Sequence, residues 1–119
     1  MRTEKFKVIQ YTRDLLIMID NNMDNFPKKD IELKNRIRMN SYDLLEIAYE
    51  ANSAEDVEYK KKLLNKMMAK IKIIDFLLNL SSDKEIISEK KYYKFGAKLD
   101  DVTKYIVGWR NSLNTPIND

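Results

Sequence analysis

Apolar side chains recur every three or four residues in four separate stretches of this chain, the period of a helix buried along one face. In the first, Ile9, Leu16, Ile19, Met23 and Phe26 share a stripe, which predicts a helix over about residues 4–24. Asn25-Phe26-Pro27 ends it, because proline cannot donate to the helical ladder and turns the residue before it away from helical angles. The second stripe, Leu33, Ile37, Asn40, Leu44, Ile47 and Ala51, predicts a helix over about 29–51. Asn40 is its one polar member, expected to be a half-buried amide that hydrogen-bonds a neighbouring helix and sets register.

Ser53 is the expected N-cap of the third helix, with Glu55, Asp56 and Glu58 facing the positive end of the helix dipole. Val57, Leu64, Met67, Ile71, Ile74 and Leu78 carry that helix across about 54–82, where Ser81-Ser82-Asp83 terminates it. Ser88 caps the fourth, over about 89–113, whose stripe Tyr92, Phe95, Leu99, Val102, Ile106, Trp109 and Leu113 alternates steps of three and four throughout. Gly96 and Gly108 lie inside it and are expected to allow close approach of another helix backbone. The tail from Asn114 to Asp119 should fray. Four helices joined by short loops predict one all-α domain over residues 1–119, an antiparallel up-down-up-down four-helix bundle.

Composition narrows the chemistry. The 119 residues include no Cys and no His, which excludes disulfides, thiolate metal sites, the usual zinc sites and His-based nucleophilic triads. Asp43, Glu46 and Glu50 fall near one another on the second helix, but no Gly-rich phosphate loop or activated nucleophile accompanies them. No catalytic residue, metal or cofactor is therefore expected. The apolar runs are too short for a membrane span and no h-region follows Met1-Arg2-Thr3, so a cytoplasmic location is expected.

The net charge of +3 is mild, yet the charges are unevenly placed. Residues 43–58 carry carboxylates and no Lys or Arg, whereas residues 60–72 carry lysines and no acid. Lys28, Lys29, Lys34, Arg36 and Arg38 enrich the start of the second helix, and Lys62, Lys66 and Lys70 stack at four-residue spacing on the third. Lys91, Lys94 and Lys98 do nearly the same on the fourth. In an antiparallel bundle the basic segments converge toward one end and the acidic block marks the other. Rows of this kind are either solvated helix faces or tracks for phosphates. A second apolar face on several helices, including Leu15, Met18, Leu45, Tyr49, Ile73, Leu77, Tyr93 and Val107, exceeds what one core requires and points to self-association or a protein partner.

Phe26-Pro27-Lys28-Lys29, then Arg36-Ile37, Tyr42-Asp43-Leu44-Leu45-Glu46 and Glu50-Ala51-Asn52, resembles the second helix of Avd proteins, the accessory variability determinants of diversity-generating retroelements. Ile86-Ile87-Ser88-Glu89-Lys90-Lys91-Tyr92 and Gly108-Trp109 resemble the same family further on, so that the likeness spans roughly residues 11–112. The family is related to four-helix proteins encoded in intervening sequences of 23S rRNA genes. The resemblance implies a homopentameric, non-catalytic protein that binds a reverse transcriptase and RNA or DNA through basic residues, here Lys28, Lys29, Lys34, Arg36, Arg38, Lys62, Lys66 and Lys70. The alternative is a structural or protein-interaction bundle of the rRNA intervening-sequence type without a nucleic-acid role. A nuclease of the helical toxin–antitoxin kind stands third, weakened by the lack of His.

Overall fold

The computed structural model describes residues 2–114, with side-chain surroundings from Lys5 onward. Four helices carry the described residues and no strand occurs among them: α1 Arg2–Asp20, α2 Ile31–Ser53, α3 Val57–Asp83 and α4 Glu89–Ser112, with a 3-10 turn at Lys28–Asp30 before α2. Each helix packs on its neighbours in sequence, and α1 also packs on α4, while among the described residues the backbones of α1 and α3, and of α2 and α4, do not approach closely. The helices thus stand at the corners of a square around one core, compatible with a four-helix bundle, with overall extents of 56 × 22 × 18 Å. No helix of the described residues is long and apolar enough to cross a membrane.

Contacts between α2 and α3 run in descending order along α3: Asp30 meets Lys84, Asp43 meets Lys70, and Glu50 meets Tyr59. Those between α3 and α4 do likewise, with Tyr92 on Asp75 and Arg110 on Asn65, each at 2.9 Å. Where α1 meets α4, Tyr11 sets its ring edge against Tyr105 with centroids 5.0 Å apart, a favourable quadrupole geometry.

The stripe of α4 matches expectation: Phe95, Leu99, Val102, Ile106 and Trp109 are buried, with Tyr92 and Leu113 half-buried against the core. The stripe of α1 matches only in part, at Ile19 and Met23. Its buried residues are Val8, Thr12, Leu15, Ile19 and Met23, while Ile9 and Leu16 are only half-buried. The doublets Val8-Ile9 and Leu15-Leu16 offer two apolar registers, and the one chosen passes through the polar Thr12. Leu15, expected on a second face, is therefore core. On α3, Val57 is exposed while Leu63, outside the expected stripe, is buried.

Helix ends differ in instructive ways. α1 stops at Asp20, short of Asp24, because Asn22 takes over the terminal carbonyls: its side chain donates to Met18 O at 2.7 Å and its backbone N–H to Ile19 O at 3.0 Å. The following residues leave the helix, so Met23 folds into the core. Ser53 is not a cap; α2 runs through it, and Asp56 caps α3 by accepting from Tyr59 N at 2.8 Å. Ser88 caps α4 as expected, accepting from Lys91 N at 3.0 Å. Gly96 departs from expectation too: a Cβ built there would meet nothing within 4 Å, so no backbone approaches it. The expected fraying of 115–119 lies outside the described residues.

Candidate functional site

The start of α2, the end of α3 and the start of α4 are locked together by local geometry. Pro27 holds extended angles and feeds the 3-10 turn Lys28–Asp30, whose first two residues are exposed. Asp30 caps α2 with its backbone alone; its carboxylate, nearly buried, lies 3.1 Å from Lys84 Nζ at the end of α3. Immediately beyond, α3 closes in a Schellman turn: Ile86 N–H donates to Ser81 O and Glu85 N–H to Ser82 O, both at 2.9 Å. Glu85 takes the left-handed position with φ 61°, usually given to glycine, and Ile86 packs against the core. Ser88 then starts α4, so Lys90, Lys91 and Lys94 project from the end that also holds Lys28, Lys29 and Lys34. None of these six lysines makes an ion pair with another described residue.

Arg36 and Arg38, on the same stretch of α2, are engaged. Arg36 Nε lies 3.3 Å from Glu32 in an exposed pair one turn away, the kind that contributes little. Arg38 Nε lies 3.3 Å from Asp20 at the end of α1, and its guanidinium also donates to Tyr42 Oη at 3.1 Å. Tyr42 in turn donates to Asp20 at 3.3 Å. The bond to Tyr42, helped by the Asp20 charge, pushes the Arg38 pKa up, so the cation ties α1 to α2.

The row on α3 is divided by the helix it packs against. Lys70 Nζ lies 3.1 Å from both Asp43 Oδ2 and Asn40 Oδ1, and the Asn40 amide donates back to Arg36 O at 2.8 Å. Asn40 therefore does hydrogen-bond a neighbouring helix, through the charge it holds there. Lys66 and Lys70 share a hollow of about 250 Å³ with Asp43, Glu46 and Glu50. The acidic and basic runs thus do not separate to opposite ends of the molecule: the hairpin brings residues 43–50 against 66–70 and part of each charge cancels. Lys62 and Lys66 stay exposed, with no ion pair to another described residue. Among the described residues no group of three metal-ligating side chains gathers; Asp43 is paired with Lys70 and Glu50 accepts from Tyr59.

Two tyrosine clusters complete the polar surface. Tyr59 at the head of α3 donates to Glu50, and that bond raises its pKa. Tyr11 lies between Lys7 and Lys98, whose Nζ atoms stand 5.6 Å and 5.4 Å from its ring centre. Its hydrogen bond with Tyr105 raises its pKa, with Asp101 and Asp14 adding to the effect. Of the expected basic residues, Lys28, Lys29 and Lys34 fall at the start of α2, Arg36, Arg38 and Lys70 are engaged, Lys66 lies exposed at the edge of the acidic hollow, and Lys62 is exposed one turn before it. Lys91 and Lys94 belong to the row expected on the fourth helix, whereas Lys90 was not singled out; the excess of lysine over acid in residues 84–98 was the signal for it. Comparison of the chain with family models, with curated proteins and with solved structures finds no match in any of the three.

Proposed function

We propose that this chain is a non-catalytic accessory protein of a diversity-generating retroelement: an up-down-up-down bundle that assembles into a homopentamer and binds the reverse transcriptase together with RNA or DNA. The observation that carries the nucleic-acid part is the gathered end, where Lys28, Lys29, Lys34, Lys90, Lys91 and Lys94 have no carboxylate partner among the described residues. Lysines without a partner exchange condensed counterions for phosphate contacts, which gives salt-dependent, sequence-independent affinity. Repetition of this end around an assembly would multiply a weak single contact through effective concentration. Self-association is supported by large apolar side chains on the outer surface, among them Phe6, Ile17, Ile73 and Phe76.

A second reading, a structural or protein-interaction bundle without a nucleic-acid role, draws on the α2–α3 seam, where Lys70 is occupied by Asp43 and Asn40. Light-scattering mass measured together with RNA and DNA binding across a salt series separates the two. The proposal expects about five chains and a log affinity that falls as log salt rises, by about 0.9 per phosphate contact on duplex DNA. Lys28, Lys29 and Lys34 changed together to Glu should flatten that slope more than the same change at Lys62, Lys66 and Lys70. An assembly without salt-dependent binding would favour the second reading, and a monomer without it would overturn the proposal.

A further inference from the structure

The lysines of α4 stand beside an aromatic ring that the core does not use. Tyr93, between Lys90 and Lys94, is 64% exposed. Lys90 lies one helical turn before it and Lys94 follows it directly, and neither makes an ion pair with another described residue. Tyr93 also lines a groove of about 580 Å³ between α3 and α4. Tyr92 lines the same groove, its ring centre 5.8 Å from that of Tyr93 and its plane tilted by 40°. Ile71 and Leu99 add apolar surface. Gly96, one turn after Tyr93, keeps the space open, since a Cβ there would meet nothing within 4 Å.

The charges around this groove are arranged for an anion at the Tyr93 end. Lys72 lines it from α3, exposed and with no ion pair to another described residue. Of the carboxylates that line it, Asp75 accepts from the Tyr92 hydroxyl at 2.9 Å. Asp100 lies ten residues beyond Lys90, about 15 Å along the helix. Glu89, a turn before Tyr93, belongs to the first turn of α4, where the helix dipole favours it.

We infer that this groove receives an unpaired nucleobase against Tyr93, with the phosphates of the same strand on Lys72, Lys90 and Lys94. This rests on the nucleic-acid reading proposed above and names its class: single-stranded rather than duplex. In a duplex the base faces are stacked on one another and closed to a side chain. An unpaired base offers a π face that an aromatic ring can take. Lysines hold the phosphates of either form, so the choice of strand falls to the ring and to the open space over Gly96. Every base has such a face, so the site accepts any sequence.

Three probes test this on the full chain across a salt series: a mixed-sequence single-stranded oligonucleotide, its duplex, and an abasic strand of the same length. The wild type should hold the single strand more tightly than the abasic one. Tyr93→Ala, a change at an exposed position, should weaken single-strand binding about 5- to 150-fold, the range for one lost base stack. Duplex and abasic affinities should not move. The loss should be the same factor at every salt concentration, because the ring displaces no counterion. Tyr93→Phe keeps the ring and should bind as the wild type does. Gly96→Leu fills the groove with a good helix former and should reproduce the loss. Lys90→Ala with Lys94→Ala should instead weaken all three probes and flatten their salt slopes. Equal affinities for the single and abasic strands, or undiminished single-strand binding by Tyr93→Ala or Gly96→Leu, would overturn the base site while leaving the lysine end standing. A loss in Tyr93→Phe as large as in Tyr93→Ala would overturn stacking. A wild type that binds none of the three would overturn the nucleic-acid reading and this inference with it.

Discussion

The α2–α3 seam and the end shared by Lys28, Lys29 and Lys34 with Lys90, Lys91 and Lys94 are built from the same residue types, yet their electrostatics differ. In the seam, Lys66 and Lys70 lie opposite Asp43, Glu46 and Glu50, and Lys70 is held 3.1 Å from Asp43. At the shared end, Lys84 is the lysine taken up by a carboxylate, that of Asp30. A hairpin of helices pairs early residues of one arm with late residues of the other, so adjacent blocks of opposite charge cancel. Blocks that share an excess of lysine and meet at a common end cancel less of it. The density of lysine is thus a poor guide to a phosphate surface until each lysine's neighbour across the helix seam is known.

The largest expected effect comes from reversing a charge inside the seam. Lys70→Glu sets two carboxylates against each other in a half-buried place and should cost about 1–2 kcal/mol, lowering Tm by roughly 4–8 °C. Asp43→Lys combined with Lys70→Glu should recover most of that loss, because the ion pair is restored with its sign reversed. Thermal melts of the two single variants and the pair measure it; additive losses would show that the seam is not coupled. The same variants should leave salt-dependent nucleic-acid binding at the shared end nearly unchanged.

A smaller effect, of opposite sign, is expected at the shared end. Glu85 holds a left-handed angle and places a carboxylate beside the lysines. Glu85→Gly should raise stability by about 0.5–1 kcal/mol, less than the full left-handed penalty because glycine also loosens the unfolded chain. It should also strengthen polyanion binding by removing the negative charge. Glu85→Ala separates the two causes: it removes the charge and keeps the strained backbone, so it should share the gain in binding without the gain in stability.

The smallest effect uses the α3–α4 seam as a neutral reference. Tyr92 donates to Asp75, and burial together with that bond pushes its pKa from 10.0 up to about 12. A raised pKa means the folded state favours the protonated phenol. Its contribution is therefore complete below pH 10 and is lost as pH rises from about 10 to about 12. Urea denaturation across this window should show a steeper fall for the wild type than for Tyr92→Phe, and equal slopes would show that the bond contributes nothing. Salt should weaken the Lys70–Asp43 pair and leave this bond almost unaffected.

How much of this was legible in the sequence varies from helix to helix. The core face of α4 was readable because Tyr92, Phe95, Leu99, Val102, Ile106 and Trp109 keep one unbroken alternation of three and four steps, which the competitor Val107 does not extend. On α1 the doublets Val8-Ile9 and Leu15-Leu16 left two registers open, and the structure took the one whose line includes Thr12, a polar residue that an apolar pattern passes over. Ser53 and Asp56 are both sound caps by chemistry; which one serves depends on where α2 stops, and α2 continues through Ser53. The role of Asn40 was legible as a bond to another helix, but its partner was not, since Lys70 lies thirty residues away.

By itself the sequence determined the helical class, the number of helices and most of the inward residues, since these follow from a local 3.6-residue period and from Pro27, Asp83 and Ser88 at the element ends. Only the tertiary structure decided which basic side chains keep their charge available. Lys70 lost it to Asp43, Lys84 to Asp30 and Arg38 to Asp20, whereas Lys28 and Lys90 were brought to one end by the Asp30–Lys84 clasp and the turn at Glu85. The physical reason is one of range. Helical periodicity is set by hydrogen bonds four residues apart, while a charge is cancelled by whatever lies a few ångströms away across a seam, and the chain order does not state that neighbour.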